Sequence, residues 1–504
     1  MEPLFVGVDM GTSSVKVLLT DRQGRRIADA SEAYTPVSPR PDWMEMDPEC
    51  WYTAAVRGIR RVLAQADPAR VRGLCCTGQM HSLTLLDRQD RVIRPAILWN
   101  DGRAVDVCAR ARAELAVQPG LETLAELISN GSPAASLLWL KENEPETFAR
   151  IDCFLMGSDA LTWRLCGQRV TDWCEASVSG LFDAKRNAWS PEMRALVGLR
   201  QEQYPALFGS ACPAGTLCAQ AAADLGLSRS VTVAVGTGDN PAATYATGSL
   251  AQGFPTVSIG TAGVLVIPQR TYQPCHGFKN VLFSPDGEKV HSLLQGVVQS
   301  AGGSLQWWTR DILRLSDYAG IDRAIDPDAL FRPQLLFYPH LVGDKAVHYA
   351  PDLRGAFLGL STDTDREQLT LAVLEGVCFG IRELLSLAYQ PLGNAEMLRV
   401  TGGGSRSVVW MQVLADVLNM PVVQLDSRAG AACGAALLAA RACGEAPADP
   451  IGTAPALRVF VPRPAFTARY AEKYERYGRV YAAFQRIYEE NAPVAAPFPD
   501  QFQA

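Results

Sequence analysis

The sequence predicts an α/β protein with two large domains that repeat one strand–turn–strand unit. The chain has 504 residues, more than a single hydrophobic core usually supports, so two domains are expected. Strand-like runs alternate along it with stretches of helical periodicity, which is the pattern of α/β proteins. A hairpin pattern near the N-terminus returns half a chain later, which indicates a duplicated fold with one copy in each domain.

The composition is that of an ordinary globular protein. Hydrophobic residues make up 48% of the chain and charged residues 20%. The formal net charge is -6 and basic residues form no run, which argues against a nucleic-acid partner. No uncharged apolar run reaches the roughly 18 residues that a membrane helix needs, and the first residues lack the basic segment of a signal peptide. We therefore expect no membrane partner and a cytoplasmic location.

The 13 cysteines give no sign of a metal or redox site. No pair has the Cys-x-x-Cys spacing of zinc-binding or thioredoxin-like motifs. Cys75 and Cys76 lie inside an apolar run, where small buried side chains are a simpler interpretation than a redox pair. Many unpaired thiols suit a reducing compartment, in agreement with the expected cytoplasmic location.

The first hairpin spans Leu4 to Thr20. Alternating apolar residues predict one strand before and another after a break at Met10-Gly11-Thr12-Ser13, with Asp9 at the end of the first strand. Glycine lets the backbone approach a phosphate, and the amide and hydroxyl groups of the turn can donate to its oxygens. An aspartate at the end of the first strand can hold Mg²⁺, often through water. The alternative is an ordinary hairpin turn.

The second hairpin spans Phe254 to Pro268. Its break, at Gly260 and Thr261, stands where Gly11 and Thr12 stand in the first hairpin. This repetition favours the phosphate-binding interpretation of both turns over the ordinary turn. Two such hairpins that face each other across a cleft can grip one nucleotide from both sides.

Helical stretches lie between and after the hairpins and suggest where the domains divide. We expect a boundary near residues 247–253, with domains at 1–247 and 248–490 and a loose Pro-rich tail at 491–504. The helix candidates are Pro48 to Leu63, Leu137 to Phe148, Leu369 to Leu387, Val408 to Leu418, Gly434 to Ala442 and Ala465 to Glu490.

Asp239 is the candidate catalytic residue. It follows an apolar strand in the run Gly236-Thr237-Gly238-Asp239-Asn240-Pro241, and α/β sheets present ligand groups at such strand ends. Flanking glycines let its carboxylate approach a substrate hydroxyl without crowding. Phosphoryl transfer needs from the protein mainly positioning, charge stabilisation and a base for the nucleophile. Taken alone, the residue fits a helix cap better than a base.

Two further motifs point to ligands. A glycine-rich turn that includes Gly403 and Gly404 joins a strand to a helix, an arrangement that suits the flat base of a nucleotide. The run Gly78-Gln79-Met80-His81-Ser82 and the run Trp99-Asn100-Asp101 place polar and aromatic side chains that suit a sugar. A buried histidine bonded to the backbone and an ordinary glycine turn are the alternatives.

Together these motifs resemble those of the FGGY carbohydrate kinases, within the actin-like, ribonuclease-H-like ATPase superfamily. The resemblance covers nearly the whole chain in the right order and is greatest to the xylulose kinases. It rests on the runs VGVDMGTSSVKVLL, GQMHSLTLLD, RPAILWNDGRA, GTGDNPAA, SIGTAGV and GGGSRSVVWMQVLADVL. The resemblance implies two actin-like domains that close on ATP and a sugar, with the ligands held in the cleft between the domains.

The resemblance also implies roles for individual residues. Asp239 would be the catalytic base, and Asp9 would lie near Mg²⁺. The residues expected against the sugar are Met80, His81, Trp99, Asn100, Asp101, Asp239 and Asn240. The residues expected against ATP are Gly11, Thr12, Ser13, Gly260, Thr261, Gly302, Gln306, Gly403 and Gly404.

The sequence departs from the xylulose-kinase pattern at three places. Residues 132–136 replace the usual Thr-x-Pro-Lys, residues 157–160 replace Pro-Lys-Asp-Tyr, and residues 343–347 replace Gly-Glu-Arg-x-Pro. Ser82 also stands where glycine is commoner, and gluconate kinases often carry that serine. These departures leave the expected ATP-binding residues intact and bear on the identity of the sugar.

The expected activity is the ATP-dependent phosphorylation of a ketopentose, D-xylulose first. Gluconate, ribulose and L-xylulose are the alternative sugars. An actin-like ATPase module that phosphorylates no metabolite is the alternative of another class, although it would not need the residues at 238–240 or the cluster around His81. The expected partner is a small-molecule sugar, and a homodimer is one candidate assembly.

Overall fold

A computed structural model describes most of the chain. The described residues are 2–118, 121, 125, 128–269, 271–315, 323–344, 347, 350, 353–392, 395–426, 430–445 and 456–490. The predicted tail at 491–504 lies outside the described residues.

The strands are numbered in chain order. Those of the first half are β1 (Leu4–Met10), β2 (Ser14–Thr20), β3 (Arg26–Ala33), β4 (Glu45–Met46), β5 (Val71–Gly78), β6 (Leu83–Leu86), β7 (Ala96–Ile97), β8 (Cys153–Met156), β9 (Val170–Thr171), β10 (Phe182–Asp183), β11 (Ala188–Trp189), β12 (Ala206–Leu207), β13 (Pro213–Thr216), β14 (Thr232–Ala234) and β15 (Thr237–Gly238). Those of the second half are β16 (Thr256–Ile259), β17 (Gly263–Gln269), β18 (Lys279–Phe283), β19 (His291–Val298), β20 (Leu336–Tyr338), β21 (Ala356–Leu358), β22 (Leu398–Thr401), β23 (Val422–Leu425) and β24 (Ala456–Phe460).

The helices are numbered in the same way. They are α1 (Pro48–Leu63), α2 (Val105–Ala116), α3 (Pro133–Asn143), α4 (Pro145–Ala149), α5 (Asp159–Cys166), α6 (Trp173–Val178), α7 (Pro191–Val197), α8 (Ala219–Leu225), α9 (Asp239–Ala246), α10 (Ser249–Gln252), α11 (Gly302–Gln306), α12 (Pro327–Leu330), α13 (Arg366–Leu392), α14 (Val408–Leu418), α15 (Ala431–Ala442) and α16 (Pro464–Glu490). Short 3₁₀ turns span Pro68–Arg70, Gln201–Gln203 and Gly403–Arg406, and a π-helix spans Trp307–Ile312.

The first large sheet carries the N-terminal hairpin. Its strand order is β13-β14-β5-β1-β2-β3, and β15 pairs with the end of β5. Strand β1 is antiparallel to β2, which is antiparallel to β3, whereas β1, β5 and β14 run parallel to one another. The carboxyl ends of the parallel strands therefore lie at one edge of the sheet, which is where α/β sheets hold ligands.

The second large sheet repeats this topology and confirms the predicted duplication. Its strand order is β18-β19-β17-β16-β22-β23-β24. Strand β16 is antiparallel to β17 and parallel to β22, and β22 is parallel to β23. The segment β19-β17-β16-β22-β23-β24 thus matches β3-β2-β1-β5-β14-β13 strand by strand, including the antiparallel edge strand.

Most predicted helices are present, and one is divided. The predicted helix Leu137 to Phe148 breaks at Glu144, where Pro145 starts α4 after the end of α3. Proline fits the first turn of a helix but not its interior, because it lacks the amide proton and clashes with the preceding turn. Cys75 and Cys76 are fully buried in β5, as the sequence predicts.

Helix α15 belongs to the second half of the chain but packs on the first sheet. It contacts β1, β5 and α9, and its alanines share a buried cluster with residues of both large sheets. The approach to α9 is close: a Cβ atom on Gly434 would lie 1.9 Å from the carbonyl oxygen of Ala242. Only glycine fits that position without moving one helix away from the other.

The long C-terminal helix α16 closes the second core. Lys473 on α16 is buried and pairs with the buried Glu375 of α13. Both side chains would be unpaired charges in an apolar core without this contact, so a packing of α16 that separated them would be disfavoured. None of the described helices combines the length and the apolar character needed to cross a membrane.

Candidate active site

The carboxyl edge of the first sheet brings together two predicted site residues, Asp9 and Asp239. In register across β1, β5 and β15, Asp9 stands beside Thr77, which stands beside Thr237. Asp239 follows two residues after Thr237 as the first residue of α9. Asp9 and Asp239 therefore lie at the same sheet edge, with one strand between their own.

The environment raises the pKa of both carboxylates. Burial raises the pKa of Asp239 from 3.8 to about 7; the charge of Asp9 adds to the rise, and the Asn240 amide opposes it. That amide donates to Oδ1 of Asp239 over 2.7 Å. Burial raises the pKa of Asp9 to about 6, against the charge of Lys16. A carboxylate that titrates near neutral pH is suited to accept a proton from a hydroxyl.

Met80 lies directly against the segment that leads to Asp239. A Cβ atom on Gly238 would lie 2.5 Å from Sδ of Met80 and 2.8 Å from Sγ of Cys174. Gly238 therefore provides the space in which the Met80 side chain packs beside the candidate base. The structure therefore places Met80 beside Asp239, and both are residues that the sequence predicts in the site.

His81 stands next to Met80 in a backbone conformation that few side chains adopt, with φ at 73°. Its amide donates to Oε2 of Glu175 over 3.2 Å, which holds the backbone in this position. Burial lowers the pKa of the imidazole to about 3; the charge of Lys279 lowers it further, and a hydrogen bond with the Val178 backbone opposes both. His81 is thus a neutral hydrogen-bonding group at neutral pH.

Glu175 is a buried carboxylate next to His81 that the sequence does not predict. It is fully buried on α6, and burial together with the nearby Asp159 and Asp172 raises its pKa well above the usual range. Asp172 caps the same helix, since its Oδ1 accepts the Glu175 amide over 3.1 Å. The spacing Asp-x-x-Glu looks like an ordinary helix start, so nothing in the sequence places this carboxylate under His81.

Hydrogen bonds within the first hairpin turn, and from Tyr34 just after β3, fix the conformation of that turn. The Gly11 amide donates to the Ser14 carbonyl over 3.0 Å, and the Tyr34 amide donates to the Ser13 carbonyl over the same distance. The Tyr34 hydroxyl donates to the carbonyl of Gly11. These bonds fix the turn while the Thr12 and Ser13 side chains remain accessible.

Trp99 connects the second predicted sugar motif to this turn. Its indole Nε1–H donates to Oγ1 of Thr12 over 3.1 Å, although the side chain is 45% exposed. Asn100 is exposed and lines an open groove with Asp42, Met44 and Val105. Both residues are therefore accessible to a ligand near the first hairpin.

Asp101 differs from the prediction that it contacts the sugar. It is 1% exposed, and both of its carboxylate oxygens are already engaged. Oδ1 accepts from the amide and Nε of Arg103, and Oδ2 accepts from Arg103 Nη2 and from the Met44 amide. Arg103 is itself fully buried, over the ring of Trp43 at 3.9 Å, and also pairs with Glu45. The carboxylate of Asp101 shapes the loop instead of facing a ligand.

The second hairpin is bonded to the loop that leads to Gln306. The Gly302 amide donates to the carbonyl of Gly260, and the amides of Ala301 and Gly303 donate to the carbonyl of Thr261, each over 2.9 Å. Gly302 opens the short helix α11, which ends at Gln306. The structure thus brings Gly260, Thr261 and Gly302 together.

The glycine-rich turn lies at the same edge of the second sheet. Gly403 and Gly404 form the 3₁₀ turn that follows β22, and β22 runs parallel to β16, the strand that ends at the second hairpin. A Cβ atom on Gly404 would lie 2.4 Å from Cγ2 of Ile259, the last residue of β16. The two nucleotide motifs of the second half therefore adjoin.

The departures from the family pattern lie partly beneath the site. Ser136 and Ser158 are buried where the pattern has lysines, and Oγ of Ser158 donates to the Thr237 carbonyl over 3.3 Å. Asp159, beside Ser158, is also buried, and its pKa is raised well above the usual range by burial. Of the third departure, residues 345 and 346 lie outside the described residues.

Comparison with known proteins gives the family of the chain. Residues 4–246 match the N-terminal domain of the FGGY family of carbohydrate kinases, and residues 256–443 match its C-terminal domain. The chain is 32% identical over 498 residues to the xylulose kinase of Escherichia coli K12, covering 98% of this chain and 100% of the relative.

Solved structures show the same fold. A xyloylose kinase from Brucella ovis is 33% identical, with a TM-score of 0.86 over 96% of this chain and 100% of its own. Xylulose kinase from Rhodospirillum rubrum is 26% identical, with a TM-score of 0.87 over 96% of this chain and 100% of its own. The predicted α/β fold with two actin-like domains is confirmed. The chain belongs to the FGGY family of carbohydrate kinases.

Proposed function

We propose that this protein transfers the γ-phosphoryl group of ATP to the terminal hydroxyl of a ketopentose, D-xylulose first, giving D-xylulose 5-phosphate. The relative from Escherichia coli, which the chain matches over nearly its full length, is a xylulose kinase. Gluconate, ribulose and L-xylulose remain the alternative substrates.

One observation carries this proposal: Asp239 stands at the head of α9, at the sheet edge that also holds Asp9, with a pKa raised to about 7. A carboxylate with this pKa is largely ionised at slightly alkaline pH and still binds a proton well. An ATPase module that acts on water alone would have no need for the adjoining Met80 and His81.

The sugar side of the proposed site is formed by residues of the first half. Neutral His81 exchanges hydrogen bonds with hydroxyls without bringing a charge, and Met80 offers an apolar surface to the C–H groups. Asn240 adds an amide beside the base, and Trp99 with Asn100 forms the accessible wall near the first hairpin. Asp101 takes a positioning role, because its carboxylate is held by Arg103.

The nucleotide side is proposed to combine both hairpins with the glycine turn. The amides and hydroxyls of these turns can donate to phosphate oxygens, and the flat backbone beside Gly404 suits the adenosine. The proposed ATP contacts are Gly11, Thr12 and Ser13 from the first hairpin, Gly260, Thr261, Gly302 and Gln306 from the second, and Gly403 and Gly404 from the turn.

Asp9 is the residue proposed to hold Mg²⁺. A carboxylate beside a phosphate-binding turn suits this ion, which usually takes one or two carboxylates, phosphate oxygens and several waters. The described residues contain no group of three or more metal-binding side chains. When bound with ATP, Mg²⁺ supplies positive charge that offsets the charge of the phosphates.

In the proposed mechanism, Asp239 accepts the proton of the terminal hydroxyl as its oxygen attacks the γ-phosphorus. The bond from phosphorus to the bridging oxygen breaks and ADP leaves. Donors in the hairpin turns stabilise the charge on the transferred group. We also propose that domains 1–247 and 248–490 close around both substrates, which excludes water and limits ATP hydrolysis.

A coupled assay of ADP release tests the proposal. We expect turnover that depends on the sugar, fastest with D-xylulose among D-xylulose, L-xylulose, D-ribulose, L-ribulose, gluconate and glycerol. Asp239→Ala should lower kcat by about 10² to 10⁴, the usual contribution of a general base. Turnover that is independent of any sugar would favour the ATPase module, and an unchanged rate in Asp239→Ala would remove the base from its role.

A further inference from the structure

Strand β18 of the second sheet is docked on the first half of the chain, next to the proposed sugar site. The Leu282 amide donates to Oγ of Ser177 on α6 over 3.0 Å. The loop beyond β18 is held as well, since the Ser210 amide donates to the Ser284 carbonyl over 2.8 Å. This strand is therefore fixed relative to α6, the helix that carries Glu175.

Strand alternation places Lys279 on the face of β18 that looks toward this site. Side chains two residues apart share a face of a strand, so Lys279 shares its face with Val281 and Phe283. Those two residues are fully buried in the same cluster as Val178 on α6, and Met80 packs against that cluster. Lys279, at the start of the strand, is exposed, and its charge is near enough to act on the imidazole of His81.

The ammonium group of Lys279 has no counter-charge in the part of the chain that the structure describes. No ion pair joins it to a carboxylate there, whereas Glu175 lies beneath His81 with one oxygen engaged by the His81 amide. The surrounding protein lowers the pKa of Lys279 by removing water from it, and its charge acts on His81.

We propose that Lys279 is a specificity-determining residue of the sugar site, which binds the end of the substrate remote from Asp239 and admits acyclic sugar acids with a carboxylate at that end. The inference rests on the proposed function, because it takes Asp239 as the group beside the phosphorylated hydroxyl. It adds a wall contributed by the second half of the chain to a pocket otherwise formed by the first.

The two ends of the proposed sugar site differ in charge, and this difference favours the assignment of Lys279. Asp9, Asp239 and Glu175 are acidic groups at or below the wall of the first half, and His81 is neutral, so none of them would offset a carboxylate on the substrate. An ammonium group donates to a carboxylate more strongly than to a neutral carbonyl or hydroxyl. A ketopentose would therefore use Lys279 as a hydrogen-bond donor, and an aldonate would use it as an ion pair.

Steady-state kinetics with D-xylulose and D-gluconate, each under ATP, test the inference. We expect the wild-type protein to phosphorylate both. Lys279→Met should lower kcat/KM for D-gluconate by about tenfold to hundredfold, mainly through KM, and for D-xylulose by less than about tenfold, as expected for charged and neutral hydrogen bonds. Lys279→Arg keeps the charge and should keep more of the D-gluconate activity than Lys279→Met.

Lys289→Met is the matched control, since Lys289 is an exposed lysine beyond the same strand and should leave both substrates unaffected. Turnover of D-xylulose without any of D-gluconate would overturn this inference and leave the proposed function standing. An equal loss for both substrates in Lys279→Met would overturn it too, because a lysine that only offsets Glu175 would act in this way. Turnover of neither sugar would overturn the inference, and turnover of none of the six compounds in the ADP-release assay would overturn the proposed function as well.

If Lys279→Met proves unstable in thermal unfolding, the ratio of the two kcat/KM values in Lys279→Gln and Lys279→Arg decides instead. We expect the ratio of kcat/KM for D-gluconate to kcat/KM for D-xylulose to be about tenfold higher in Lys279→Arg than in Lys279→Gln. Equal ratios in the two variants would refute a charge-based role.

Discussion

The indole Nε1–H of Trp99 donates a hydrogen bond to the hydroxyl of Thr12 over 3.1 Å. It joins two motifs that lie far apart in the sequence, the proposed wall of the sugar site and the proposed phosphate hairpin. Because Thr12 is the acceptor, its own hydroxyl proton is free to point to a third group. The bond therefore leaves Thr12 able to donate to the phosphate proposed to bind at this hairpin.

A double-mutant cycle on this pair tests the connection. Trp99→Phe and Thr12→Val each remove the bond, so their effects on kcat/KM for ATP should be less than additive, with a coupling energy of about 0.5 to 1.5 kcal/mol. Fully additive effects would mean that the two groups act independently in the working protein.

Asp239 should destabilise the fold at alkaline pH. Its pKa is about 7 in the folded protein and near 3.8 when unfolded, so the folded state binds more protons between those values. Its contribution to stability therefore falls as pH rises through this window. Asp239→Asn removes the charge, and we expect its Tm to exceed that of the wild type at pH 8, by an amount that shrinks toward pH 4.

Thermal unfolding of the nucleotide-free protein in a chelator, followed across this pH range, measures the difference. We expect the difference in Tm between Asp239→Asn and the wild type to grow with rising pH and to become constant above pH 7. A difference in Tm of the same size at all pH values would contradict the raised pKa of Asp239.

Gly434→Ala should impair catalysis through a helix contact. The added Cβ would lie 1.9 Å from the Ala242 carbonyl oxygen, so α15 and α9 must move apart, and α9 carries Asp239 at its first position. Displacing a catalytic group by about 1 Å can cost on the order of 10² in rate, so we expect kcat to fall by that order.

Gly430→Ala is the control for this substitution, because a Cβ atom there meets nothing within 4 Å. It should retain wild-type kcat in the same assay. A Gly434→Ala variant with full kcat would show that the helices separate without moving Asp239.

Arg103→Met should destabilise the loop that carries Trp99. The substitution leaves the buried carboxylate of Asp101 without its cation, whereas Glu45 keeps its pair with Arg94. Breaking a buried pair in this way costs about 3 to 5 kcal/mol. Urea unfolding followed by tryptophan fluorescence measures the loss, since Trp43 lies against the guanidinium group.

The exposed pair of Arg110 and Glu142, at 2.6 Å, provides a comparison on the same half of the chain. Arg110→Met should cost at most about 1 kcal/mol, as exposed ion pairs usually do. Equal losses in the two variants would contradict the importance of burial at Arg103.

Much of the fold could be predicted because local patterns encode it. The hairpins at Leu4–Thr20 and at 254–268 carry strand alternation and turn glycines, and the duplicated sheet topology follows from their repetition. The break before Pro145 was missed because the apolar period continues across it, although proline itself signals a helix start.

The candidate site was harder to predict where long-range contacts decide it. Asp101 looks like a ligand-binding residue in its motif, but Arg103 and the Met44 amide occupy both of its oxygens. Glu175 and Lys279 carry no local signal, because each reaches the site only through packing of α6 and β18. Charges brought together by tertiary structure leave no period or spacing in the sequence.

The packing of α15 on the first sheet has a consequence for how the chain matures. During synthesis, β1 and β5 leave the ribosome long before the helix that covers them exists, because α15 lies near the end of the chain. Until α15 is synthesised, the apolar face of the first sheet that it covers stays exposed. Exposed apolar surface of this kind promotes chaperone binding and aggregation. A fragment ending at residue 247 would lack α15 and would keep this face exposed, so the first half depends on the second for part of its core.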